Sequence, residues 1–213
     1  PDFEVKRNLC NIFPDPLTRV DIWMLYTNKA KEEWGVEGIT SMAILNVGTF
    51  NTAAVESGCS VKLEIVEISE RDWQVEGSSS TDLHSLRDSD YNSHIKAKRE
   101  ELGADLVALL GEGYADSRAF RDTAFSVTIA DKPLSFAHEI GHNFGCRHDR
   151  NEQQTKNSLQ HDFAHGYVTS VDGWTFGTIM AYAPRRVPVF SNPNFYYHRS
   201  EERRVGKECR SRW

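Results

Sequence analysis

The sequence predicts an α/β fold: a twisted, mostly parallel sheet with helices in an N-terminal lobe, then a small irregular C-terminal lobe. Two observations predict it. Strand-length apolar runs alternate with segments whose apolar residues recur at helical spacing. That alternation builds βαβ units, whose strands run parallel. After residue 150 the periodicity disappears, and glycine, proline and aromatic residues dominate.

In chain order, residues 1–17 carry three prolines and little periodicity, and read as an irregular arm. VDIWMLY (20–26) is a buried strand by its apolar and aromatic content. EGITSMAILNVGTFNTAAVESG (37–58) has apolar residues at helical spacing and stops at a glycine, which predicts a helix. VKLEIVEI (61–68) alternates apolar and polar residues, the mark of a half-buried strand. The polar stretch 82–103 is expected to be mostly helical. ADLVALLG (104–111) is a fully buried strand, and FSVTIA (125–130) is a further β-prone run. GSSST (77–81) is the one low-complexity stretch, and no internal repeat is visible.

At 213 residues the chain is long enough to bury a real core. No apolar run approaches membrane-spanning length; LVALL (106–110) has strand length. The net charge of −6 argues against a nucleic-acid partner. The segment 199–213 distorts that figure. It holds six of the 25 basic and three of the 31 acidic residues, which leaves 19 against 28 elsewhere. The first residue is Pro1 and no signal region precedes it, so any targeting or pro-segment is expected to lie outside this chain.

The chemistry concentrates in HEIGHNFGCRHD (138–149). LSFAHEIGHNFG (134–145) reads as a helix with Phe136, Ile140 and Phe144 as its buried stripe. His138 and His142 are four apart and project from one face, so two imidazoles can grip one divalent ion. Glu139 adjoins the first of them and can reach a water on the metal without binding the metal. Gly145 supplies the positive φ that turns the chain, and His148 arrives from outside the helix as a third ligand. Three imidazoles with one or two open positions are the pattern of a catalytic zinc site. By composition alone HExxH is expected in fewer than about one chain of this size in a hundred. Requiring Gly145 and His148 as well makes coincidence a poor account. A second pair, His161 and His165 in HDFAH (161–165), has the same spacing but no glutamate or third ligand, and reads as a surface segment, with a second metal site as the alternative.

HExxHxxGxxHD is the extended zinc signature of the metzincin metallopeptidases, and the chain resembles them over most of residues 18–198. Asp149, after the third histidine, is similar to the adamalysin or reprolysin branch. TFGTIMAYAP (175–184) resembles the methionine-bearing turn of these enzymes, with Met180 as its methionine. FSVTIA resembles their substrate-binding edge strand, and RVPVFSNP (186–193) the segment walling the specificity pocket. TIMAY and FSNP look more like the bacterial reprolysin-like members than the disulfide-rich animal ones. Thr178 stands where the animal members have cysteine. Tyr182, two residues after Met180, resembles a tyrosine that can bind zinc and move to the transition state in the astacin and serralysin branches. Here it is either such a residue or a packed aromatic.

The resemblance implies a secreted, monomeric endopeptidase with one catalytic Zn2+, acting on protein or peptide bound in extended form. Its catalytic domain would be 18–198, with an upper lobe to about 148 and a lower lobe over about 149–198. His138, His142 and His148 would hold the metal, and Glu139 would be the general base. Asp149 would be a structural anchor, and Met180 would shape the floor of the site. The competing readings are a catalytically inactive zinc-containing protein-binding module and a non-peptidase zinc hydrolase.

Cysteine leaves the compartment open. Cys146 reads as a buried thiol or a disulfide partner, Cys59 is unassigned, and Cys10 is a disulfide half or a pro-segment thiol that caps the zinc. RSEERRVGKECRSRW (199–213) fits no part of the family pattern and resembles translated sequencing adapter. It is expected to be non-native, with Cys209 and Trp213 carrying no function and a closing C-terminal helix missing after residue 198.

Overall fold

The computed structural model describes residues 17–71, 77–88, 92–121, 123–151 and 164–192. The expectations placed on Cys10, His161, the arm before Leu17 and the segment 199–213 lie outside these residues. Contacts divide the chain into two units. One comprises Thr18–Asn51 and Lys62–Phe144, the other Thr52–Val61 and Gly145–Trp213 with the N-terminal arm.

The first unit is built on a five-stranded sheet. Its strands are β1 (Thr18–Tyr26), β2 (Val61–Glu70), β3 (Leu106–Gly111), β4 (Arg118–Ala119) and β5 (Phe125–Ile129), in the order β2-β1-β3-β5-β4. β1 and β3 are parallel, as are β3 and β5; β4 runs antiparallel to β5. All six residues of β3 are buried, as expected of a central strand covered on both faces. Trp23, Leu25, Val107, Leu109, Phe125 and Val127 share one face of the sheet. Leu83 and Leu86 of α2 (Ser79–Asp88) and Ile95 of α3 (Asn92–Leu102) pack on them.

The long helix α1 (Asn28–Glu56) buries Ile39, Ala43, Val47, Phe50 and Ala54, one stripe at three- and four-residue spacing. It begins nine residues before the expected start. Thr27 caps it, its hydroxyl accepting the Ala30 N–H at 3.1 Å, and the helix breaks at Gly35, where φ is 65°. The periodic pattern was legible only beyond that break. At the other end Gly58, with φ 72°, closes the helix, and the Cys59 N–H returns to the Ala54 carbonyl.

Two expectations are corrected. FSVTIA is not an edge strand: β5 lies between β3 and β4, and the edge on that side of the sheet is the two-residue β4. A pairing that short leaves no periodic signal in sequence. The region after residue 150 is also less irregular than expected. β6 (Val168–Val171), β7 (Trp174–Gly177) and β8 (Arg185–Arg186) form a sheet in that order. Asp172 and Gly173, at φ 51° and 81°, make the tight turn between β6 and β7. That Asp-Gly pair between β-prone runs is the signal that could have identified the hairpin.

The edge strand is held from the protein side. Tyr114, in the loop before β4, lies so close over Gly111 that a Cβ there would sit 1.9 Å from its ring. The Tyr114 hydroxyl donates to Asp82 of α2, which is also 3.0 Å from Arg71. Burial first, and then the Asp82 carboxylate, push the Tyr114 phenol well above its ordinary pKa, so it stays a neutral donor. Ser79 donates to Asp116 in the same loop. β2 is braced differently. The Asn51 amide of α1 donates to the Leu63 carbonyl at 2.9 Å and accepts the Leu63 N–H at 2.7 Å. Asn51→Ala leaves both groups without that partner and should lower unfolding free energy by about 3 kcal/mol, measured by urea denaturation.

Candidate metal centre

Helix α4 (Pro133–Asn143) starts with proline at its first turn, where the missing N–H costs nothing. It ends as Gly145 takes φ 82°. Every residue from Phe136 to Asn143 is buried, so the expected stripe is part of a helix enclosed all round. Phe144 lies against Phe50 of α1, ring centroids 6.0 Å apart. Asn143, which sequence reading passed over, fixes the helix to the sheet. Its amide donates to the carbonyls of Phe120 and Phe125, at 3.1 and 2.9 Å, on the β4–β5 turn. The helix is thereby tied to the strand that forms the sheet edge.

This packing leaves His138 and His142 with ring centroids 4.7 Å apart and planes at 88°. His148 joins them: one ligand atom from each of the three histidines lies within 4.8 Å of the others. Among the described residues no other trio of histidine, cysteine or acidic side chains converges in this way. Three neutral imidazoles without a thiolate are the donor set that suits a catalytic zinc ion and keeps a position open. Glu139, next to His138 in the chain, is buried at 6% exposure.

The chain around His148 is held by hydrogen bonds. Asp149 is buried and its oxygens accept two backbone N–H groups, Asn151 at 3.1 Å and Tyr182 at 3.0 Å. The second bond brings in Tyr182, whose ring centroid lies 4.3 Å from that of His148 and whose side chain is otherwise exposed. Met180 is buried two residues earlier. A Cβ on Gly166 would come within 2.6 Å of the Met180–Ala181 peptide, so glycine alone allows that approach. Thr178 binds Tyr167 twice: its hydroxyl accepts the Tyr167 N–H, and its own N–H donates to the Tyr167 carbonyl, both at 2.9 Å. Cys146 is buried.

HDFAH was expected to be a surface segment, and for His165 that is corrected. His165 is buried, and its Nδ1 lies 3.0 Å from the His148 carbonyl. A carbonyl only accepts, so Nδ1 carries the proton. Ser191 in turn donates to the His165 carbonyl. The neighbours of Ser191 have similar roles: the Phe190 N–H donates to the Ser57 hydroxyl, and the Asn192 amide to the Ser57 carbonyl. Spacing alone revealed none of these, because the partners are distant in sequence. His165→Ala should weaken zinc binding by about tenfold in a chelator competition titration, since the His148 carbonyl loses its donor. His165→Asn, which keeps a donor near Nδ1, should restore most of it.

The peptidyl-Asp metalloendopeptidase of Pseudomonas aeruginosa is 28% identical over 89% of this chain and 37% of its own length. That of Stenotrophomonas maltophilia is 28% identical over 84% of this chain and 46% of its own. The chain thus spans less than half the length of these relatives. A chain in the solved structure described as "Structure of a chaperone-substrate complex" shares the fold, with a TM-score of 0.66 at 17% identity over 84% of this chain and 30% of that one. The model of a reprolysin-like family, described as metallo-peptidase family M12, matches residues 17–195, and the chain belongs to that family.

Proposed function

We propose that this chain carries the catalytic unit of a secreted, monomeric zinc endopeptidase that hydrolyses peptide bonds in extended protein substrates at aspartyl residues. The observation that carries the reading is the convergence of His138, His142 and His148 with Glu139 buried on the same helix. The aspartyl preference comes from the names of the relatives. No described helix is long and apolar enough to cross a membrane.

A bound zinc ion supplies Lewis acidity toward the scissile carbonyl and lowers the pKa of the attacking water. His138, His142 and His148 would hold it. Glu139 takes the proton of that water and delivers it to the leaving amine. The substrate lies along the open side of β4 and extends the sheet by main-chain hydrogen bonds. Asn143 then keeps that strand in register with the helix bearing the base, because one side chain holds both. Residues 178–182 act as the methionine turn, with Met180 as its floor. Tyr182 donates its hydroxyl to the oxyanion; its ring position beside His148 supports that role. The alternative of a zinc-containing binding module without turnover has no observation in its favour.

The decisive experiment separates metal binding from turnover. Glu139→Gln should keep a full equivalent of zinc by elemental analysis and lose at least about 100-fold in peptide hydrolysis. His148→Ala should lose both. Near-normal turnover in Glu139→Gln would assign the base elsewhere. Tyr182→Phe should lower kcat by roughly 10- to 1000-fold with little change in KM, by analogy with other oxyanion donors. Unchanged kcat would leave Tyr182 a packing residue.

A further inference from the structure

The connection from β7 to β8 carries Met180 and Tyr182 and ends in two adjacent arginines, Arg185 and Arg186. Its base is fixed. Phe176 pairs with Arg185 and Gly177 with Arg186, and the Val187 N–H donates to the Gly177 carbonyl at 2.8 Å. A Cβ on Gly177 would meet Ala183 at 2.7 Å and Ala181 at 2.9 Å, so the loop closes tightly on its own stem. Arg185 stands three residues after Tyr182, whose ring faces a metal ligand. Its Cα is therefore within about 11 Å of that of Tyr182.

The central carbon of the Arg185 guanidinium lies over the Trp174 indole, 3.4 Å from the ring centroid, and 6.0 Å from that of Phe176. Trp174 is 54% exposed and both arginines are exposed. Among the described residues neither arginine forms an ion pair, although the whole chain carries a net charge of −6. Stacking fixes the plane of a guanidinium and leaves its in-plane N–H groups outward, the arrangement that receives a carboxylate in bidentate fashion. Arg186, the next residue of the strand, leaves from the opposite face, so Arg185 alone is presented on the Trp174 side.

We infer that Arg185, held on Trp174, is the specificity-determining residue that receives the carboxylate of an acidic substrate side chain beside the scissile bond. Arg186 adds to the field without contacting the carboxylate. This rests on the endopeptidase reading and assigns its substrate preference to one side chain of this chain.

The test uses the full chain, zinc-loaded, and peptides that differ only in carrying Asp, Asn or Ala at that position. Arg185→Gln should lower kcat/KM for the Asp peptide by about 10- to 100-fold and leave the Asn and Ala peptides within about twofold. Trp174→Leu, which keeps the charge and removes the platform, should lower the Asp peptide alone by about threefold. Arg186→Gln should have the smaller effect. Equal losses on all three peptides, no loss on any, or a larger Asp-specific loss from Arg186→Gln would overturn the assignment, provided thermal melts match the native protein. Calorimetric binding of the same peptides to Glu139→Gln protein separates the two readings. An Asp preference that vanishes with Arg185→Gln, in a chain whose native form cleaves none of the peptides, would uphold the receptor and overturn the peptidase. Cleavage without such a preference would do the reverse.

Discussion

The site depends on one constraint: the last eight residues of α4, Phe136–Asn143, are all buried and include two imidazoles and a carboxylate. Burying three titratable groups on a single turn is unfavourable unless each finds a partner. A divalent ion would add a further partner for the histidines, and its charge would favour a carboxylate beside it. Binding free energy at such a site becomes folding free energy, because the three donors are brought together only in the folded chain. The apolar residues of the helix contribute the remainder. Phe136, Ala137 and Ile140 are wholly buried and fix the helix in rotation. Asn143 fixes it in translation through two carbonyls of the β4–β5 turn.

The segment after Gly145 buries Ile179, Met180, Ala181 and Phe190, and packs Val187 and Val189 against Tyr167 and Phe176. Order there comes from backbone atoms paired with side chains far away in sequence: Asp149 with Tyr182, His165 with His148, Thr178 with Tyr167. Thr178 shows the economy of this scheme. Its hydroxyl and its N–H both pair with the backbone of Tyr167, so one residue fixes two groups of that stretch. Glycines permit the close approaches that these bonds require, at Gly166 against Met180 and at Gly177 against Ala181 and Ala183.

The sheet edge shows how a strand of two residues can be a defined surface. β4 gains little from its own ladder, so its approach is fixed by Tyr114 and Asp116, which are bonded to Asp82 and Ser79 of α2. The helix on one face of the sheet thus sets where the chain enters the edge. Asn143 of α4 sets where it turns back.

The sequence by itself determined what is local. The spacing of His138, Glu139 and His142 is fixed by helical periodicity, and Gly145 announces the turn that releases His148. The strand runs of β1, β2, β3 and β5 are legible because burial imposes an apolar pattern on consecutive residues. Tertiary structure decided what rests on distant partners. It placed β5 inside the sheet and gave the edge to β4. It extended α1 across a break at Gly35, and it buried His165 beneath the third histidine. It also laid Arg185 on Trp174. Each of these outcomes joins residues whose separation in sequence carries no periodic signal. The energy that selects them belongs to packing and to hydrogen bonds between elements, which only the folded chain brings within reach.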